Sequence, residues 1–120
     1  PLVSHQASLF AICGFGRAPA PAGVEGPGAT GDLWAMSSGV WRLRGERWER
    51  TGALPAPLCE TIAVSLGTRI HVVTGRTPAG AANRVRQDHV DTARHLVWTP
   101  AADTWHEAAP PVRCSMGGRT

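Results

Sequence analysis

The sequence predicts an all-β chain of two consecutive four-stranded antiparallel sheets, and three observations carry that prediction. First, a segment recurs without gaps: Val3-Ser4 through Ile12-Cys13-Gly14 lies over Val64-Ser65 through Val73-Thr74-Gly75, with the Val 11 residues before the Gly in both. Second, a tryptophan pair recurs, Trp41 with Trp48 and Trp98 with Trp105, spaced by 7 residues each time. Third, prolines follow each second Trp, at Pro55 and Pro57 and at Pro110 and Pro111, and then a Cys, at Cys59 and Cys114. A repeat of this length marks a supersecondary unit that is copied along the chain.

Each element of the unit has its own local signature. Ile62 to Val64 and Ile70 to Thr74 are β-branched runs, and Leu66-Gly67-Thr68-Arg69 between them is turn material. This gives strand a, a tight turn, and strand b ending at Gly14 or Gly75. Long loops follow, with 27 residues from Gly14 to Trp41 and 23 from Gly75 to Trp98. Strand c carries Val40-Trp41 or Val97-Trp98. Gly45 then suits a hairpin turn in the first unit, and Pro100 to Asp103 does so in the second. Strand d opens at Trp48 or Trp105 and runs into a Pro-rich turn. The strands lack clean polar/apolar alternation, which is expected of sheets covered on both faces. A single sheet of this kind cannot bury both faces, so it stacks on neighbours, and radial stacking makes a β-propeller. The expected boundaries are blade one over 1–57, blade two over 58–112, and the start of a further strand over 113–120.

Composition narrows the classes. The chain is 42% hydrophobic and 18% charged, which excludes a disordered chain. No stretch approaches the roughly 20 apolar residues of a membrane span. Its 12 basic residues are all Arg and give a net charge of +3. Arg42, Arg44, Arg47 and Arg50 are interleaved with Glu46 and Glu49 and read as a solvated strand–turn–strand edge rather than a nucleic-acid surface. Neither nucleic acid nor membrane is therefore expected as a partner. Three widely spaced cysteines without a CxxC pair support neither a disulfide framework nor a zinc finger. No cofactor is called for.

The unit resembles a Kelch repeat, the repeat of the Kelch-like and galactose oxidase propellers. Trp98-Thr99-Pro100 followed by Trp105 five residues after the Pro has that spacing, and Trp48 with Leu54-Pro55 has the strand d and turn pattern. The family's Gly-Gly pair is reduced to Cys13-Gly14 and Thr74-Gly75, its Asp before Pro is Thr99, and Leu43 replaces that Pro in the first unit. The resemblance implies two degenerate blades of a larger ring, present as part of a longer protein or as an assembling unit. It also implies a binding module that recognises a protein, a peptide or a small anionic ligand through rim loops. Two other roles follow from the same resemblance: part of a propeller enzyme, sialic-acid mutarotase-like or metal-dependent lyase-like, and a self-assembling, lectin-like two-blade protein. The copper chemistry of the galactose oxidases needs a Tyr–Cys crosslink, and this chain has no Tyr.

Two sets of residues carry the site expectations. Arg76, Arg84, Arg86 and Arg94 crowd the second long loop and suit a carboxylate or an acidic peptide, with Asp88 and Asp91 partly neutralising them. Gln87, Asp91 and His95 have the four-residue spacing of the iron-binding Glu-xxx-Asp-xxx-His pattern of plant nitrile-specifier propellers, with Gln in place of Glu. Asp91 and His95 are thus the candidate metal ligands. No base or helix N-terminus stands next to Cys13, Cys59 or Cys114 in the sequence, so core packing is expected of them and no catalytic residue is assigned.

Overall fold

A computed structural model describes residues 1–19, 32–83 and 86–111 of the chain. Four strands, β1 (Leu2–His5), β2 (Ser8–Pro19), β3 (Asp32–Arg44) and β4 (Arg47–Leu58), form one antiparallel meander in the order β1-β2-β3-β4. The second sheet has the order β5-β6-β9-β10 and comprises β5 (Ile62–Leu66), β6 (Arg69–Val73), β9 (His95–Thr99) and β10 (Thr104–Ala108). Between β6 and β9 lies a two-stranded ribbon, β7 (Arg76–Pro78) with β8 (His89–Asp91), preceded by a 3-10 turn at Arg86–Asp88. The all-β expectation and its two four-stranded sheets are what the chain shows. The strand expected over 113–120 lies outside the described residues.

The two sheets face one another, and the strand period of two decides which side chains meet. Val3, Phe10, Ile12, Val40 and Leu54 from the first sheet pack on Ile70, Val72, Leu96 and Trp98 from the second. Ile12, Val40, Ile70 and Val72 are completely buried. Phe10 meets the Trp98 ring edge-on, with centroids 5.2 Å apart, and Trp105 stacks on the other side chain of that pair, Trp98, at 5.6 Å. His5 Nδ1 lies 2.6 Å from Ser65 Oγ and ties β1 to β5.

Two strand limits differ from the sequence reading. Strand b does not stop at Gly14: after a bulge between Ile12 and Gly14, the β2–β3 ladder resumes and runs to Pro19 opposite Asp32. A bulge accommodates the extra residue and lets pairing continue. The first long loop, expected to begin after Gly14, is therefore a strand at least to Pro19, and 20–31 lie outside the described residues. Nor is the Pro-rich stretch a turn. Leu54-Pro55-Ala56-Pro57-Leu58 closes β4, the outermost strand, where the missing N–H of Pro costs no central ladder bond.

The hairpin turns share one end of the molecule. Gly45 (φ 61°) and Gly67 (φ 59°) supply the left-handed residue at β3–β4 and β5–β6. At β1–β2 the same role falls on Gln6 (φ 46°) and Ala7 (φ 63°), two side chains in the left-handed region that a type I′ turn requires. Both are exposed, so nothing but the backbone is at stake. Replacing Gln6-Ala7 by Asn-Gly is expected to stabilise the chain by about 1 kcal/mol, read as a shifted urea midpoint at unchanged slope.

Candidate functional site

At the end opposite the hairpin turns, both units turn through a pair of left-handed residues. Cys13 (φ 47°) precedes Gly14 (φ 112°), and Thr74 (φ 60°) precedes Gly75 (φ 105°). The conformation explains why a repeat of this kind favours Gly at both positions, since only Gly adopts it without strain. From Gly75 the chain enters β7, and Arg76 exchanges two backbone hydrogen bonds with Cys59 at 2.9 and 3.1 Å. The segment linking the sheets is thereby stitched to this rim.

Of the residues that the sequence singled out, Arg76, Asp91, Arg94 and His95 are described in or beside the ribbon. Arg76 projects from β7, where its guanidinium donates to Asp91 Oδ1 at 2.8 Å and to the His89 carbonyl at 2.8 Å. It clamps the ribbon, and its side chain is only 16% exposed. Arg94, just before β9, donates from Nε to Glu107 Oε1 at 2.6 Å, with the two side chains 34% and 53% exposed. Arg84 lies outside the described residues, and Arg86 is placed only as backbone of the 3-10 turn. Gln87 is exposed in the same turn.

The two candidate metal ligands sit in different settings. Asp91 is ion-paired with Arg76 on β8. His95 lies on β9, with Nε2 2.8 Å from His71 Nδ1 and Nδ1 3.0 Å from the Ala109 carbonyl. The carbonyl can only accept, so Nδ1 of His95 carries the proton and its Nε2 accepts from His71. Burial and the neighbouring His95 and Arg69 hold His71 below the ordinary imidazole range. Among the described residues, no group of three or more His, Cys, Asp or Glu side chains is arranged to hold a metal ion.

A cleft of about 380 Å³ opens beside Arg94. Its walls are Thr92, Ala93, Arg94 and His95 on one side, with Glu107, Ala108 and Pro110 on the other. The lining sets Ala93, Ala108 and Pro110 beside one cation, one anion and the His95 imidazole, apolar surface with a few polar groups that can orient a ligand. Cys13 is half-buried, and burial pushes its thiol up to about 11, which leaves no thiolate at neutral pH.

Sequence reasoning missed one residue that shapes this rim. Asn83 Oδ1 accepts from the Met36 N–H at 3.0 Å and from His89 Nε2 at 2.8 Å, while its Nδ2 donates to the Met36 carbonyl at 3.0 Å. The amide thus pairs with β3 as a neighbouring backbone would, and joins the second unit's loop to the first sheet. Burial lowers the affinity of His89 for a proton, which keeps its ring a neutral partner. Nothing in a polar loop predicts a contact 47 residues away. Asn83→Ala is expected to cost about 2 kcal/mol in urea unfolding, because His89 and the Met36 backbone lose their partners.

Two consecutive four-stranded antiparallel sheets, face to face and joined along one rim, define a partial propeller. The chain is similar to Kelch repeat and BTB domain-containing protein 12 of Danio rerio, 33% identical over 79 residues, covering 62% of this chain. The chain spans 12% of the length of that relative. No protein-family model matches the chain. The likeness supports a Kelch-like relationship over the residues that it covers.

Proposed function

We propose that the chain is a recognition module that takes an acidic peptide segment at the ribbon rim. The observation that carries the reading is the 380 Å³ cleft with the Arg94–Glu107 ion pair in its wall. Glu107 occupies the guanidinium as a ligand carboxylate would, and an exposed pair of this kind is weak enough to be exchanged. Arg76 is the less available cation, since Asp91 and the His89 carbonyl hold it. The Kelch-repeat likeness of the relative points the same way, toward a protein partner.

Fluorescence anisotropy with acidic, neutral and basic peptides of equal length tests this. Acidic peptides are expected to bind, Arg94→Ala to remove binding, and Glu107→Gln to strengthen it by freeing the guanidinium. Equal binding of the three peptide classes, or an unaltered affinity in Arg94→Ala, would refute the reading.

A further inference from the structure

The four arginines around the β3–β4 hairpin do not share one role. Arg50 lies over the Trp41 ring, 5.8 Å from its centroid, and Arg47 is exposed beside the turn. Arg44 donates from Nε to Glu49 Oε2 at 2.8 Å. Arg42 differs. The ladder sets it between Phe10 and Glu49, but Arg44 has taken that carboxylate. The half-buried Arg42 side chain therefore makes no hydrogen bond or ion pair among the described residues. It faces the seam between the two sheets, where it lines a cleft of about 190 Å³ with Phe10, Thr51, Trp98 and Asp103. A second cleft, of about 210 Å³, shares Phe10 and Arg42 with the first and is also lined by His5 and Ser8. Strands within the chain supply both walls of this seam. The repeat does not require its polar groups. Trp41 aligns with Trp98, so Arg42 aligns with Thr99 of the second unit. Thr51 Oγ1 is a buried atom with no hydrogen-bond partner, and its counterpart is Ala108. Asp103 spends Oδ1 on the Trp98 Nε1–H at 3.0 Å, which leaves Oδ2 to accept from a ligand. Unpartnered polar groups cost stability, and here packing does not explain them.

We propose that the seam cleft binds a small carboxylate that also carries a hydrogen-bond donor, the shared chemistry of hydroxy acids and amino acids. The planar guanidinium of Arg42 takes the carboxylate with two parallel N–H donors. The hydroxyl or ammonium group of the ligand donates to Asp103 Oδ2. Phe10 and Trp98 supply apolar walls for the carbons between. Phosphate is the poorer guest, since its further negative charge faces Asp103. Both clefts are smaller than the roughly 300–1,000 Å³ of sites for drug-sized ligands, which limits the guest to a few carbons. The seam site lies at the hairpin end and shares no residue with the cleft at the ribbon rim, so each reading stands or falls alone.

Titration of the full chain with glycolate, glycine, acetate and inorganic phosphate, followed by heteronuclear NMR, tests the proposal. The Trp98 Nε1–H resonance reports the site, because that group donates to Asp103. Glycolate or glycine is expected to shift it saturably and to bind about five-fold more tightly than acetate, the worth of one added hydrogen bond. Tighter glycine assigns the donor as ammonium and tighter glycolate as hydroxyl; either bears the proposal out. Arg42→Gln is expected to abolish the saturable shift, whereas Arg47→Gln, outside the cleft, leaves it as in wild type. Asp103→Asn keeps an acceptor for Trp98 and is expected to remove the advantage of glycine over acetate. A dispersed set of five indole resonances shows that each variant is folded. No saturable shift in wild type, unaltered binding in Arg42→Gln, or acetate or phosphate binding as tightly as both donor-bearing acids would overturn the proposal.

Discussion

Gly75→Ala is expected to destabilise the chain by about 4 kcal/mol, a large part of the roughly 5–15 kcal/mol that holds an ordinary domain folded. Two costs add. The backbone at Gly75 has φ 105°, a region that side-chain-bearing residues reach only with strain of about 1–3 kcal/mol. A Cβ there would also lie 2.5 Å from the Cys59 carbonyl oxygen and 3.1 Å from Thr61 Cα. Both are parts of the segment that links the sheets, and neither can yield like the tip of a flexible side chain. That segment is fixed by the two hydrogen bonds between Cys59 and Arg76, and the Gly75 carbonyl accepts from the Thr92 N–H at 2.9 Å. Gly14→Ala is the control. Its φ of 112° imposes the same backbone strain, but nothing lies within 4 Å of the added carbon. The difference between the two variants in urea unfolding therefore measures the close approach alone, expected at about 2 kcal/mol. Equal losses at the two positions would mean that the linking segment moves aside freely.

That pair of glycines shows what a sequence can and cannot reveal here. Gly14 and Gly75 are legible because only glycine serves there without strain, and the repeat makes their equivalence plain. Cys13 and Thr74 adopt positive φ as well, yet neither type advertises it; packing imposes the conformation on them. The hairpins were legible where Gly45 and Gly67 mark them, and at Gln6-Ala7 through the repeat rather than through residue type. Pro55 and Pro57 suggested a turn because proline removes a ladder donor, but at an outer strand no ladder exists on that side. Arg76 and Arg94 were legible as charges of the second long loop. Their ion pairs with Asp91 and Glu107 were not, because the second of these joins β10 to the residues before β9 through sheet register rather than through spacing. The His71–His95 contact is hidden for the same reason: β6 and β9 are neighbours only once the β7–β8 ribbon has been folded out between them.

Trp98→Ala is the second large effect, expected at about 4 kcal/mol in urea unfolding. Trp98 is 3% exposed at the centre of the interface between the sheets. Its removal leaves a cavity bounded by Phe10 and Trp105 and cancels two aromatic contacts, each worth about 1 kcal/mol beyond buried area. It also deletes the hydrogen bond from Nε1 to Asp103 Oδ1 at 3.0 Å, which braces a turn whose Asp103 has φ 49°. Trp98→Phe separates these contributions, since it keeps most of the ring contact and loses the bond, and about 1–2 kcal/mol is expected. The equivalent residue of the first unit behaves otherwise. Trp41 lies on the free face, its indole over Gly39 and the Arg50 guanidinium 5.8 Å from its centroid. Without a second sheet over it, Trp41→Ala is expected to cost about half as much in a dilute, monomeric sample. Two tryptophans that the repeat makes equivalent thus differ in energetic weight through what covers them and through the Trp98–Asp103 hydrogen bond, and the two alanine variants compared in urea unfolding read that difference.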